Sequence, residues 1–555
     1  MDKATAMNLP ASGEDGSPGP VAAARSVGVR RRPLFGLLLA LLLAPPLFLG
    51  VRASRLLDWP YDIDLFRDIA QAETIAQGRP LDDPFYRGES LWYTPLAPAL
   101  VALASKVIPL PMPVLYTRLG AWLNLLAPLT FALLVRRLFG PVAAIVATFD
   151  FLFVRNPADP SWSSGTYSPW LYAANLAQSV FYLAVWAYAR VVEAPTPRRF
   201  ALFGALAGLT FLGHAGAGVT LGGTVLLHVL LHVPRLAAVD RRRWLLGLLL
   251  VTGAAVAVAS PLLASIVGRY HLHVQNPAPM RWNWALAQNL GGIFRQLKWE
   301  TAVSAVVIGV WAIAGWKGRA RPESGVAAAW LGGGIAFLIY GFYAAGLRLP
   351  EIVPRHHALL YIKAAESALV GFACSELVRA TLAKLIRDSL VPFAALATVL
   401  AGILLVLPEY SRRGSFEPQR HSVPRWTTRP YREEVYQWLR KNATLDDVTL
   451  ANDEMALTVV GPAGVKVVAL EPFFSNPFVA LEPRRRARDQ MFAALERGDP
   501  ASFEALAREY QVTLVYRSRL DGDWFDDEAL PILERTFTSQ KSRIYRVRQH
   551  PAARD

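Results

Sequence analysis

The chain has 555 residues, 53% of them apolar and 18% charged. The apolar residues come in long runs, which excludes a string of soluble domains and points to a chain threaded repeatedly through a membrane. Much of the net charge of +15 sits in short basic clusters between those runs, a pattern that orients a membrane protein and is not a nucleic-acid footprint. With Cys374 as the single cysteine, no internal disulfide and no Cys/His zinc spacing is available.

Residues 1–29, rich in Ala, Gly, Pro and Ser without periodicity, predict a disordered cytoplasmic tail. Arg30, Arg31 and Arg32 then precede P-L-F-G-L-L-L-A-L-L-L-A-P-P-L-F-L-G. A cleaved signal peptide would fit this order, but the apolar stretch is long and no clean small-x-small site follows, which favours an uncleaved signal-anchor. Further apolar runs near 114–135, 138–154, 169–190, 200–213, 215–234, 244–267, 301–316, 325–346, 359–377 and 389–407 predict about 11 transmembrane helices in all. Three are short for a hydrocarbon core of ~30 Å, which takes about 20 helical residues.

The basic clusters Arg136-Arg137, Arg190 to Arg199, Arg235 to Arg243, Lys317 to Arg321 and Arg379 to Arg387 fall in every second connection. They share a side with Arg30–Arg32, which the positive-inside rule assigns to the cytoplasm. An odd number of crossings then places the N-terminus inside and the C-terminal segment outside. This parity requires the Pro-broken stretch Pro95–Pro109 to lie at the interface and not cross. Residues 30–408 are thus expected to form a multi-pass domain whose first outer loop is 52–113. The other outer connections are 155–168, the turn at His214, 268–300 and 347–358. Residues 409–430, polar and Pro-rich, read as a linker.

Residues 431–555 are expected to form a small extracytoplasmic α/β domain. In it Y-R-E-E-V-Y-Q-W-L-R is an amphipathic helix, and further helices lie near 484–496 and 500–509. V-T-L-A, V-K-V-V-A-L, V-T-L-V-Y and R-I-Y-R-V are its strands. The Ala/Leu/Arg/Gly-heavy composition suits a bacterial inner (plasma) membrane. In such a chain the Asn442-Ala443-Thr444 sequon carries little meaning.

The first loop concentrates acids: Asp58, Asp62, Asp64, Asp68, Glu73, Asp82, Asp83 and Glu89. Two readings of its Y-D-I-D stretch stand side by side. Asp62 can cap a helix running to Gln77, with Asp64 in the first turn and Gly78 as the stop. Alternatively, in an extended segment Asp62 and Asp64 point to the same side. One carboxylate can then take a proton from a hydroxyl, or the pair can hold a hard divalent cation such as Mg or Mn.

The longer string Y-D-I-D-L-F-R-D-I-A-Q-A-E-T-I-A-Q-G-R-P-L-D-D-P-F-Y-R-G-E-S-L-W-Y-T-P-L-A-P is more specific. It resembles the first luminal loop of GT-C glycosyltransferases, membrane enzymes that use polyprenyl-phosphate sugars. Its closest likeness is to the catalytic subunit of GPI mannosyltransferase I and bacterial relatives. The matching positions are Asp62, Asp64, Gly78, Tyr86 and Tyr93-Thr94-Pro95-Leu96. The likeness covers about 40 residues; the remainder matches in architecture alone.

The resemblance implies a GT-C-like fold and catalytic roles for Asp62 and Asp64. It implies an inverting transfer of mannose or another pentose or hexose from a polyprenyl-phosphate donor. The acceptor hydroxyl, on a glycan, lipid or protein, would lie at the outer face of the membrane. D-W-F-D-D (Asp523 to Asp527) matches the peptide-gripping Trp-Trp-Asp-Tyr-Gly motif of oligosaccharyltransferases poorly, which disfavours transfer to asparagine.

Such chemistry builds negative charge on the departing phosphate, so preorganised cations are expected there. Arg348, Arg355, His356 and His357 lie in G-L-R-L-P-E-I-V-P-R-H-H, and the guanidinium fork suits phosphate oxygens. Contact with lipid head groups in general is the alternative. His214, in F-L-G-H-A-G-A-G, could join them or be a buried histidine satisfied by the backbone. Glu89, Trp92, Tyr93, Asp159, Trp162 and His271 are candidate substrate contacts. Trp92, Tyr93, Trp162, Trp282 and Trp284 could equally form an interfacial belt. His271 and His273 lack a third metal ligand at a recognisable spacing. The rivals are a lipid-linked-sugar transporter or flippase, for which Glu366 is an isolated mid-span candidate, and a non-catalytic scaffold.

Overall fold

The computed structural model describes residues 20–154, 167–280, 299–316, 322–344, 346–347, 349, 357–381, 390–413, 416, 430–519, 521–525 and 530–548. The protein is a polytopic helical membrane protein with a small C-terminal sheet domain. Helix α1, Pro20–Ser54, begins inside the stretch expected to be a tail. α2 (Asp64–Ala76) and α3 (Leu96–Ala104) lie in the first loop, followed by α4 (Met112–Leu123), α5 (Leu126–Phe139) and α6 (Pro141–Phe149). Next come α7 (Ala173–Glu193), α8 (Pro197–Gly213), α9 (Ala215–His232) and α10 (Ala238–Leu263). α11 (Trp299–Trp316), α12 (Pro322–Tyr343), α13 (His357–Thr381) and α14 (Val391–Ser411) complete the bundle.

Every one of the eleven expected apolar runs is helical among the described residues. Among the described residues seven segments are long and apolar enough to cross a membrane; α4 and α5 count as one of them. The other four runs, in α6, α7, α8 and α11, are shorter or less apolar. α3, with 9 residues, is about 14 Å long at 1.5 Å per residue, too short to cross ~30 Å of hydrocarbon by itself.

Helices approach closely where glycine removes the side chain. A Cβ on Gly204 or Gly208 of α8 would lie 2.5 Å from the Val251 or Ala255 carbonyl oxygen of α10. On Gly371 of α13 it would strike the Ala143 carbonyl of α6. Glu366 is not isolated, contrary to the sequence expectation. Thr301 of α11 donates to its Oε1 at 2.7 Å, and Glu300, Ser304 and Lys363 are buried on the same two helices. Burial of an acid inside a bundle requires such partners.

The C-terminal domain contains α15 (Pro430–Asn442), α16 (Leu481–Glu496) and α17 (Pro500–Glu509). Its five strands are β1 (Val448–Leu450), β2 (Lys466–Val467), β3 (Leu514–Ser518), β4 (Leu533–Thr538) and β5 (Ser542–Val547). They form one sheet in the order β2-β1-β3-β5-β4. β1 pairs in parallel with β2 and β3, while β5 runs antiparallel to β3 and β4. β4 lay outside the expected strands because it is an edge strand, L-E-R-T-F-T, with mostly exposed polar residues.

The first loop is sewn to this domain. The Val467 amide donates to the Phe85 carbonyl at 2.8 Å, which covers the β2 edge. Lys466 Nζ donates to the Asp83 carbonyl at 2.6 Å, and Arg79 forks onto Asp446 at 2.7 and 2.9 Å. Trp59 Nε1 donates to Glu433 at 2.6 Å, and Arg440 pairs with Glu73. Phe66, Ala70, Phe85 and Tyr86 join the domain's apolar core, while Leu65, Ile69 and Ala72 pack into the bundle. α2 is therefore clamped on two faces, and a third face is left for polar side chains.

Candidate active site

The acids sit at a helix entry, not in an extended segment. The Asp62 carboxylate accepts the Asp64 amide at 3.0 Å, and α2 then runs from Asp64 to Ala76. Gly78, at φ +88°, supplies the left-handed stop after the Gln77 cap. The helix-entry reading gives the local geometry with the cap displaced, since Ile63 and not Asp62 holds the N-cap position while the Asp62 carboxylate takes the first helical amide; the extended arrangement is corrected. The two side chains still share one space. Asp62 Oδ2 accepts the Tyr172 hydroxyl at 3.0 Å. Asp64, Arg67 and Asp68 follow on one helical face at i, i+3 and i+4.

Tyr172 is fixed by distant parts of the chain. It is the residue before α7. The segment leading to it is held by Asn124 Nδ2, which donates to the carbonyls of Ser168 and Trp170 at 2.8 and 2.7 Å. Gly120 lets α4 lie directly against the Pro169–Leu171 backbone. Beneath the acids, Arg67 Nε donates to Asp68 Oδ1 at 3.1 Å, and its guanidinium lies 3.6 Å from the Tyr93 ring centroid. Asp68 Oδ2 accepts the Tyr116 hydroxyl at 3.3 Å.

Three carboxyls face one guanidinium here. Burial and, after it, the Asp62 charge push Asp64 up to about 7, with Arg67 opposing and Asp68 adding to the rise. Burial also raises Asp62 and Asp68, against the hydrogen bonds and the Arg67 charge that favour their ionised forms. The cluster therefore keeps a proton near neutrality, shared among coupled sites. A carboxyl poised there is suited to general acid–base work.

A resident divalent cation fits this donor set poorly. Both Asp62 oxygens already accept hydrogen bonds, and the Arg67 charge already offsets part of the cluster's negative charge. Among the described residues no three His, Cys, Asp or Glu side chains converge on one point.

Most of the chain superposes on solved structures. No protein-family model matches it, and no curated protein sequence does. The Cupriavidus metallidurans ArnT structure bound to undecaprenyl phosphate aligns over 91% of this chain and 97% of its own, with TM-score 0.51 and 14% identity. The apo form of that protein aligns over 95% and 98%, with TM-score 0.50 and 13% identity. The Archaeoglobus fulgidus oligosaccharyltransferase tethered to an acceptor peptide aligns over 88% and 69%, with TM-score 0.52 and 13% identity. This chain has the GT-C fold.

Within the GT-C frame the other candidates separate. His214 caps α9: its Nδ1 accepts the Gly216 amide at 3.1 Å. Its ring lies 4.5 Å, centroid to centroid, from that of His357 at the start of α13. A Cβ on Gly213 would lie 3.3 Å from Leu96 of the Tyr-Thr-Pro-Leu stretch and 3.1 Å from Ala177 of α7. The histidine pair therefore borders the same first-loop segment as Tyr93. Arg348, Arg355, His356, Asp159, Trp162, Trp282 and Trp284 lie outside the described residues.

Glu89 is engaged elsewhere. It accepts the Tyr270 hydroxyl at 2.9 Å and pairs with Arg269 at 3.3 Å, tying the loop after α10 to the first loop. Exposed His271 stands in the left-handed region at φ 50° beside that tie. Trp92 packs against Tyr93, rings 5.5 Å apart. Arg67, Tyr116 and Tyr172 escaped sequence reading. Arg67 and Asp68 stand beside the acid pair in L-F-R-D, a usable signal; Tyr172, 110 residues from Asp62, gave none.

Proposed function

We propose that this protein is a membrane glycosyltransferase that moves a sugar from a polyprenyl-phosphate donor to an acceptor hydroxyl, with inversion. The observation that carries the reading is the buried, proton-sharing carboxyl cluster at the entry of α2, in a chain of GT-C fold. Asp64, coupled to Asp62, takes the proton of the acceptor hydroxyl. That oxygen attacks C1 of the sugar as the bond from C1 to the phosphate oxygen breaks, and the electron pair leaves with the polyprenyl phosphate. Attack opposite the leaving group inverts the anomeric centre.

His214 and His357 are the described candidates to meet the departing phosphate. The Gly216 amide occupies His214 Nδ1 and so leaves Nε2 to carry the proton of the neutral ring. Arg348, Arg355 and His356 are proposed beside them from sequence. The ArnT structure named above contains undecaprenyl phosphate, which supports a lipid-phosphate donor. We place the enzyme in a bacterial inner membrane, with the N-terminus cytoplasmic and the C-terminal domain outside. Mannose is one option among hexoses and pentoses, and Trp92 and Tyr93, the latter with its ring against Arg67, are the proposed aromatic surfaces for it.

The test is purified protein in detergent, given a panel of radiolabelled polyprenyl-phosphate sugars with and without EDTA. Turnover of one donor, lost in the Asp62→Asn/Asp64→Asn double variant, is expected. Activity that survives EDTA is expected from the donor set; loss with EDTA would show that an ion completes the site. Equal turnover by the double variant at equal folding would sink the assignment.

A further inference from the structure

Below Tyr172, α7 carries amides that the reaction described above does not use. Asn175 follows Tyr172 by three residues and Gln178 follows Asn175 by three, successive turns of one helix. Asn175 is 1% exposed and Gln178 0%. Among the described residues neither amide atom of Asn175 has a hydrogen-bond partner, nor does Gln178 Nε2. Gln178 Oε1 accepts the Tyr182 hydroxyl at 2.9 Å, so this side chain is fixed and its NH2 left over. Buried polar groups in native proteins are nearly always paired, and an orphan calls for a ligand or an ordered water. Within a membrane bundle the requirement is stricter, because lipid supplies no partner.

The place of these amides decides what would pair with them. Asn175 is three residues, about 4.5 Å of helical rise, past the residue whose hydroxyl meets Asp62. A sugar held beside the acid would therefore lie next to the first turn of α7, where Asn175 stands. A carboxamide offers a donor and an acceptor side by side, which matches neighbouring hydroxyls of a sugar. Resting on the glycosyltransferase reading, we propose that Asn175, backed by Gln178, reads ring hydroxyls of the donor sugar and sets its identity. A site built to hydrogen-bond a hydroxyl rejects analogues that lack it, because its own buried groups are then left unpaired.

The experiment compares the donor turned over by the wild type with its monodeoxy analogues, in wild-type, Asn175→Leu and Gln178→Leu protein. The wild type should discriminate against at least one deoxy donor by tenfold or more in kcat/KM. In Asn175→Leu that ratio should collapse to within about twofold, through loss on the parent donor, with thermal stability in detergent unchanged or raised. Asn175→Asp, of equal size, gives the same reading if the leucine variant does not fold. A discrimination ratio unchanged in both variants overturns the inference and leaves the glycosyltransferase reading intact. A wild type that turns over no donor removes that reading, and the inference with it.

Discussion

At the residue scale the role proposed for the acids beside the membrane is to pass a proton where water is scarce. Asp64 is held up at about 7 by burial and by the Asp62 charge. A base must be ionised to act, so activity should rise with pH through that value. Asp64→Asn should remove the rise and cost on the order of 10²–10⁴ in rate, the usual worth of a positioned base. A pH–rate profile of both proteins checks this. Stability should run the other way. The folded carboxyl holds its proton above the ordinary value of 3.8, so folding is favoured below that pH and progressively less so up to about 7. A carboxamide in its place carries no such dependence; melting of the Asp64→Asn protein should gain on the wild type as pH rises from 4 to 8. The acid pair was legible in sequence because charges beside a membrane are costly. Its partner Tyr172 was not, because a hydrogen bond between residues 62 and 172 is made by helix packing alone.

At the element scale the helices were legible and their neighbours were not. A long apolar run declares a helix, since lipid forces the backbone to pair within the segment. It says little about which helix lies beside it, because leucine meets lipid and leucine equally well. The polar edge strand β4 shows the opposite failure in the soluble domain: without an alternating apolar face it left no signal. The α8–α10 contact is decided by Gly204 and Gly208, spaced by four, whose missing side chains admit the Val251 and Ala255 carbonyls at 2.5 Å. Isoleucine at either glycine has nowhere to go, because the obstacle is backbone. We expect Gly204→Ile or Gly208→Ile to lose folded protein in detergent or to melt many degrees lower. Gly253→Ala, on α10 with nothing within 4 Å, should hold or improve stability by up to about 1 kcal/mol from helix propensity. A Gly204→Ile protein melting like the wild type would mean that the two helices separate freely.

At the scale of the whole molecule α2 is the shared part. The bundle holds one face through Leu65, Ile69 and Ala72, the C-terminal domain holds another through Phe66 and Ala70, and the acids occupy the third. On the proposed reading the domain holds the acids in place without lending a catalytic side chain from among the described residues. Its grip differs in strength from point to point. Arg79 and Asp446 are exposed, and such pairs are worth ~0–1 kcal/mol. Asp83 is fully buried and accepts from the Phe85 amide at 2.7 Å, the Tyr86 amide at 2.9 Å and Asn476 Nδ2 at 2.9 Å. Removing it strands the two buried amides, each costing about 1–3 kcal/mol, and leaves Asn476 with only its longer contacts to the Ser90 carbonyl and Tyr270 hydroxyl, at 3.4 and 3.3 Å. Asp446→Ala should therefore leave melting and turnover near wild type. Asp83→Ala should loosen the clamp, lower the melting temperature and reduce kcat tenfold or more, although Asp62 and Asp64 are untouched. Melting curves and donor turnover on the two variants separate these cases. If Asp83→Ala melts lower yet turns over normally, the domain stabilises the chain without positioning α2, and the acids are held by the bundle alone.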